Sequence, residues 1–186
     1  MQPDGIAVAE QTFVPAELFR EAMSRLGAPV TVVATDGPAG RQGLTVSAMT
    51  SVSDTPPTVL MCLNRSNRSH EAFQRNGVVG NSILGRGHDD VAGVFASSHH
   101  APKEKFAPGV CRVGKTNTPL LDDATVTLDC MIEDIRTSGT HDGLFCAVRK
   151  IVISDAIAAG LAWCGRAFHH LPFAPLAASL KVRDTV

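Results

Sequence analysis

Apolar and polar positions alternate along much of this chain, and helical spacing is confined to short stretches. Residues 15–26 are the first such stretch: Phe19, Ala22, Met23 and Leu26 recur on one helical face, Pro15 opens the run and Gly27 closes it. Residues 30–35 read as an apolar strand, and Asp36-Gly37-Pro38-Ala39-Gly40 predicts a hairpin turn into the next segment. That segment, residues 43–53, is read as one strand. Its first face carries Thr45, Ser47, Met49, Ser51 and Ser53; the second carries Leu44, Val46, Ala48, Thr50 and Val52. Pro56 and Pro57 leave the ladder, because proline has no N–H to donate. A strand at 58–63 and a short helix at 70–75 follow, the helix ending at Asn76-Gly77. Further on, residues 81–84 are a strand and 89–96 a helix bearing Val91, Val94 and Phe95, while 97–124 read mostly as loop. Residues 125–135 alternate, with Val126, Leu128, Cys130 and Ile132 inward and Thr127, Asp129 and Glu133 outward. Strands at 143–153 and 161–164 complete the series, and the tail from Leu171 is apolar enough to dock on the domain or a partner subunit.

The hydroxyl row is the first candidate for chemistry. Small hydroxyls beside a thin apolar row fill a core poorly but suit a shallow groove for a flat polar ligand. Ser66 and Ser69 precede the helix at 70–75, with Ser69 as the expected N-cap and the first-turn N–H groups as an anion site. Arg65 and Arg68 flank that turn and can add charge-assisted contacts to phosphate. A flat head with a phosphate tail is the shape of a flavin nucleotide.

Composition narrows the field. The 186 residues suffice for one domain, taken as 1–186 with a core at about 15–170, and 44% hydrophobic with 19% charged residues is ordinary for a globular protein. A net charge of −1 gives no electrostatic reason to expect nucleic acid or a membrane surface. The first residues lack a signal peptide's basic start and apolar run, and no apolar stretch reaches a membrane span, so a cytoplasmic location is expected. Five separated cysteines with no Cys-x-x-Cys point to reduced thiols rather than a metal site. Gly85-Arg86-Gly87-His88-Asp89-Asp90 lacks the third glycine of a dinucleotide fingerprint, so any nicotinamide must bind elsewhere. His99-His100 and His169-His170 are read as mostly surface pairs, and Trp163 as a core or interface residue.

Residues 43–53, the Pro-Pro pair and the Asn64-x-Ser66-x-x-Ser69 run resemble the first half of the short-chain flavin reductases. The resemblance continues through Val79-Gly80-Asn81-Ser82-Ile83-Leu84, Lys105-Phe106, Pro119-Leu120, Gly139-Thr140-His141 and Gly165-Arg166-Ala167-Phe168-His169, covering about residues 15–170. It implies a mainly β fold with a few short helices, a split β-barrel with Greek-key connections. The implied activity is hydride transfer from NADH or NADPH to FAD or FMN, with the reduced flavin passed to a partner monooxygenase. A bound flavin reducing another acceptor, such as a cobalt corrinoid, and non-catalytic flavin binding are the alternatives. By the same resemblance Thr45, Val46, Ser47, Ala48, Met49, Ser51, Val52 and Ser53 contact flavin, along with Asn64, Ser66, Ser69, Asn81, Lys105, Phe106 and Phe168. The resemblance also implies that His141 touches the nicotinamide or guides a proton, and that the protein is a homodimer with its clefts near the subunit interface. Two positions depart from the family pattern: Thr140 stands where an acidic residue is usual, and Phe168 where tyrosine is usual. Asp142 is the expected substitute for the missing carboxylate beside His141.

Overall fold

The computed structural model describes residues 13–107, 111–154 and 159–172. Its elements in order are α1 (Ala16–Ser24), β1 (Ala28–Pro29), β2 (Thr31–Thr35), β3 (Gln42–Val46), β4 (Met49–Asp54) and β5 (Pro57–Asn64). Then come α2 (His70–Asn76), β6 (Val78–Ile83), α3 (Asp89–Ala96), α4 (Pro102–Lys105), β7 (Cys111–Val113) and β8 (Pro119–Leu121). Two long strands, β9 (Val126–Ser138) and β10 (His141–Ile153), precede β11 (Ala159–Cys164) and β12 (Ala167–Pro172). One sheet has seven antiparallel strands in the order β3-β2-β6-β9-β10-β5-β4, and β1-β11-β12 and β7-β8 form smaller sheets. The connection from β5 to β6 skips β10 and β9, as a Greek-key arrangement requires.

The expected strand at 43–53 is in fact two strands at opposite ends of this order. Val46 and Met49 are three residue steps apart, a reach of at most about 11 Å. A flat seven-stranded sheet would hold its edges about 29 Å apart at about 4.8 Å per strand. The sheet therefore curls until its two edges nearly meet at Ser47-Ala48. Among the described residues the ladder stays open, with β3 and β4 as its ends.

Burial follows from this curl. Inside it, Val33, Val59, Met61, Leu63, Phe73, Val79, Cys130 and Leu144 form one core cluster. Val30, Val32, Leu84, Ala92, Phe95 and Leu161 form a second on the other side of β2. All five residues of β2 are buried, which explains its unbroken run of small and β-branched side chains. The thiols of Cys130 and Cys146 are pushed up to about 12 by burial, so both behave as small core hydrophobes.

Several expectations need correction. Thr127 and Asp129 do not face solvent, because the β7–β8 hairpin lies over that face of β9. Asp129 accepts hydrogen bonds from the Thr116 N–H (2.9 Å) and from the Thr116 and Thr118 hydroxyls, and Thr127 accepts one from Arg112 (2.6 Å). Residues 97–124 contain α4, β7 and β8, and β12 was not legible as a strand. The amphipathic α1 buries none of its residues. The apolar tail lies outside the described residues from 173 onward.

Candidate functional site

Two of three adjoining clefts meet where β5 ends. Asn64 is the pivot: it closes β5, and its Oδ1 accepts the N–H (2.9 Å) and hydroxyl (2.8 Å) of Ser66. Asn67 does the same for the Ser69 N–H at 2.9 Å, so two asparagine side chains shape the turn into α2. Ser69 makes no side-chain cap; it is buried, and its hydroxyl donates to Gln42 at 3.2 Å. The N–H groups of His70, Ala72 and Phe73 bond to Asn67 and Ser69 carbonyls. The helix start is therefore a weaker anion site than its sequence suggests, and the charge comes from side chains.

The first cleft, about 430 Å³, is lined by Gly43–Thr45, Asn64, Ser66–Ser69, Phe95–Ser98 and Lys105. Arg68 and Lys105 line it, and no acidic residue does. Arg68 is tied to the His100 carbonyl at 2.7 Å, which joins the loop to the segment after α3. Lys105 is buried, with Nζ donating to the carbonyls of Phe95 (2.9 Å) and Gly43 (3.3 Å). An ammonium has three donors, so one remains for a ligand. Burial first, and the Arg68 charge second, hold this ammonium below the ordinary lysine range. Gly43 is small for a steric reason: a Cβ there would stand 2.6 Å from Cζ of Phe106. Phe106 meets Phe95 edge to face at 5.2 Å, so it packs behind the cleft and does not line it.

A second cleft of about 200 Å³ continues from the first at Thr45 and Ala96, and is lined by Val30, Val46, Ser47, Ala92, Trp163 and Phe168. Trp163 and Phe168 meet at 5.0 Å, edge to face. The Thr45 hydroxyl donates to the Ala92 carbonyl at 2.7 Å, so it fastens β3 to α3 and is not free for a ligand. A third, open cleft of about 780 Å³ shares Asn64 and Ser66 with the first, and holds Ala16, Phe19, Arg20, Arg65, Gly139, Thr140 and His141.

His141 starts β10 after a two-residue turn in which Gly139 takes φ of 55°, a left-handed conformation favouring glycine. It is exposed, and its Nδ1 lies 2.8 Å from the Thr140 hydroxyl, which occupies the place of the missing acid. Asp142 cannot orient it, because consecutive strand residues point to opposite faces. Asp142 is buried instead among Thr137 (2.7 Å), His70 (2.8 Å) and Gln74 (3.0 Å), with Arg65 at 3.9 Å. The Thr137 hydroxyl foremost holds its carboxyl below the usual range; burial opposes this, and His70 and Arg65 add to the lowering.

The structure thus brings Thr45, Val46, Ser47, Asn64, Ser66, Ser69, Lys105, Phe168 and His141 to connected clefts. It leaves Met49, Ser51, Val52 and Ser53 on β4, lining none of these three, and Ala48 at the corner, where its carbonyl accepts from Cys62 at 3.0 Å. Asn81 is a core residue, fully buried and turned toward Cys130. Sequence reading missed Ser97, Ser98 and the α1 wall: the serines sit in a loop without a motif, and helical periodicity placed Phe19 only on the apolar face of a helix. His99 and His169 are on the surface as expected, and Trp163 is partly buried in the second core cluster.

Fold and site together define a class: a curled antiparallel sheet with an acid-free cationic groove that runs into an aromatic slot. The chain matches the flavin reductase like domain over residues 23–172, and it belongs to that family. It is 44% identical over 154 residues to the FMN reductase (NADH) RutF of Pseudomonas syringae, covering 83% of this chain and 85% of that protein. A candidate flavin reductase of Haemophilus somnus superposes with a TM-score of 0.81 at 35% identity, covering 85% of this chain and 100% of that one. The styrene monooxygenase flavin reductase of Pseudomonas putida superposes at 0.73 with 25% identity, covering 85% and 99%.

Proposed function

We propose that this protein is a flavin reductase that uses a reduced nicotinamide dinucleotide, with FMN as the preferred flavin. The observation that carries the reading is the acid-free cleft holding Arg68 and Lys105, joined at Thr45 and Ala96 to an aromatic slot. Its donor set suits a phosphate tail, and the Trp163–Phe168 slot suits a flat ring. Flavin in this cleft supplies a hydride acceptor at N5, which no side chain of the chain can provide. Arg68 and Lys105 hold the phosphate end. Thr45, by fastening β3 to α3, keeps the groove floor at a fixed height. Ser47 and Phe168 bound the slot and exclude water from one side of it. His141, in the neighbouring cleft, contacts the dinucleotide donor and positions it, oriented by Thr140 in place of a carboxylate.

The whole chain acts as one flavin reductase domain, and the working form is a homodimer. Val52 on β4 and Ile151–Ile153 on β10 leave apolar side chains open, and these support a subunit contact. The relation to a monooxygenase's reductase supports a partner monooxygenase as the consumer of the product.

The test is anaerobic mixing of the FMN-loaded protein with NADH, followed by flavin bleaching. Rapid bleaching is expected; bound FMN that NADH never reduces would overturn the reading. His141→Ala should slow hydride transfer about 10²-fold while FMN affinity stays within a factor of about three, the pattern of a group contacting the reacting pair.

A further inference from the structure

The open cleft beside His141 has parts that the flavin reading does not use. One wall is α1, through Phe19 and Arg20; the other is the turn after β5 and the β9–β10 hairpin, through Arg65, Thr140 and His141. Phe19 is 55% exposed although α1 is amphipathic. The helix is tied near its C-terminal end, where the Gly165 N–H meets the Ser24 carbonyl at 2.6 Å and Arg166 meets Glu21 at 2.7 Å. Its N-terminal half, with Phe19 and Arg20, faces the cleft.

Two guanidinium groups and an aromatic face around an open slot are suited to a purine attached to a pyrophosphate. Two carboxylates stand nearby. Glu17 pairs with Arg20 at 3.0 Å, but both side chains are mostly exposed, so the pair is weak and exchanges readily. Asp142 lies 3.9 Å from Arg65 Nε and is already bonded to Thr137, His70 and Gln74. Neither carboxylate lines the slot. The slot shares Asn64 and Ser66 with the cationic cleft, so a ligand seated in it continues toward the flavin groove.

We propose that this slot holds the adenosine diphosphate half of the reduced nicotinamide dinucleotide, with the adenine against Phe19 and the pyrophosphate between Arg20 and Arg65. The assignment rests on the flavin reductase reading and adds the α1 wall to it as the part that recognises the donor. Reduced nicotinamide mononucleotide lacks the adenosine and keeps only one of the two phosphates, so it makes no use of the Phe19 face of α1.

Two measurements test it. Calorimetric titration of the flavin-free protein with ADP should show saturable binding that Phe19→Ala and Arg20→Ala each weaken about tenfold. In steady-state assays Phe19→Ala should lower kcat/KM for NADH about tenfold more than for reduced nicotinamide mononucleotide. Wild type that binds ADP through Phe19 and Arg20 but does not oxidise NADH would support the slot while removing the reductase activity. Absence of ADP binding in wild type would overturn the proposal. So would ADP binding that Arg68→Ala abolishes and Phe19→Ala leaves intact, or equal loss for both donors. A Phe19→Ala variant that dissociates a dimer with no change in donor discrimination would assign α1 to the subunit contact and likewise overturn it.

Discussion

β3 and β4 are neighbours in sequence and read there as one hydroxyl-bearing strand, yet they end in opposite settings. β3 pairs with β2, and its Thr45 and Val46 line the clefts. β4 pairs with β5 at the other end of the sheet, and five of its six residues are exposed. Periodicity places residues on faces; strand pairing decides whether a face meets a cleft or the solvent. Lys105 and Thr45 make the difference concrete, since they tie β3 to α3 and α4 through the Gly43, Phe95 and Ala92 carbonyls. β4 has no comparable cover among the described residues.

The largest expected effect on flavin affinity is at Lys105. Lys105→Met removes the third ammonium donor, and FMN affinity should fall about 10- to 100-fold, as for other charge-assisted contacts. Riboflavin, which lacks the phosphate, should change less than about threefold on the same scale. Equal losses for both would mean that Lys105 merely supports β3. Next is Ser47→Leu at the corner between the two strands. It fills the aromatic slot and should weaken FMN about tenfold in a folded protein, the usual scale of an overpacked site. An unchanged titration would take the corner out of the site and with it the claim that β3 and β4 differ in function.

The same divergence recurs in one residue step at His141 and Asp142, and pH can expose it. Asp142 has its carboxyl lowered in the folded protein, chiefly by Thr137. A lowered carboxylate stabilises the fold above its unfolded value of about 3.9, and that contribution is lost as pH falls through the lower folded value. Wild type should therefore exceed Asp142→Asn in denaturant midpoint from about pH 7 to 5, with the gap closing below about pH 4. A gap independent of pH would show that the carboxylate's charge contributes nothing. The smallest effect is expected on β4: Ser53→Leu should leave FMN affinity within about twofold, since an exposed edge site changes little. A large loss there would erase the contrast between the strands.

Much of the fold was legible because turns and periodicity are local. Asp36-Gly37-Pro38-Ala39-Gly40 signalled the β2–β3 hairpin, and Gly139-Thr140 marked the turn that presents His141. The order of short motifs along the chain likewise revealed the family, because each motif is written in consecutive residues. The Ser47-Ala48 break was not legible: nothing within residues 43–53 states that the sheet curls there, since curling is a property of all seven strands.

What the sequence determined by itself was the β-rich character with several of the strands and turns, the hydroxyl-rich and cationic character of the segments flanking β5, and membership of the family. Only the tertiary structure decided which of those polar groups remain for a ligand. Asn81, Ser69 and Thr45 were candidates by type, but packing turned Asn81 into the core, gave Ser69 to Gln42 and Thr45 to Ala92. A side chain's donors and acceptors are fixed by its chemistry; whether they are already paired depends on neighbours distant in sequence, and those are set by the packed whole.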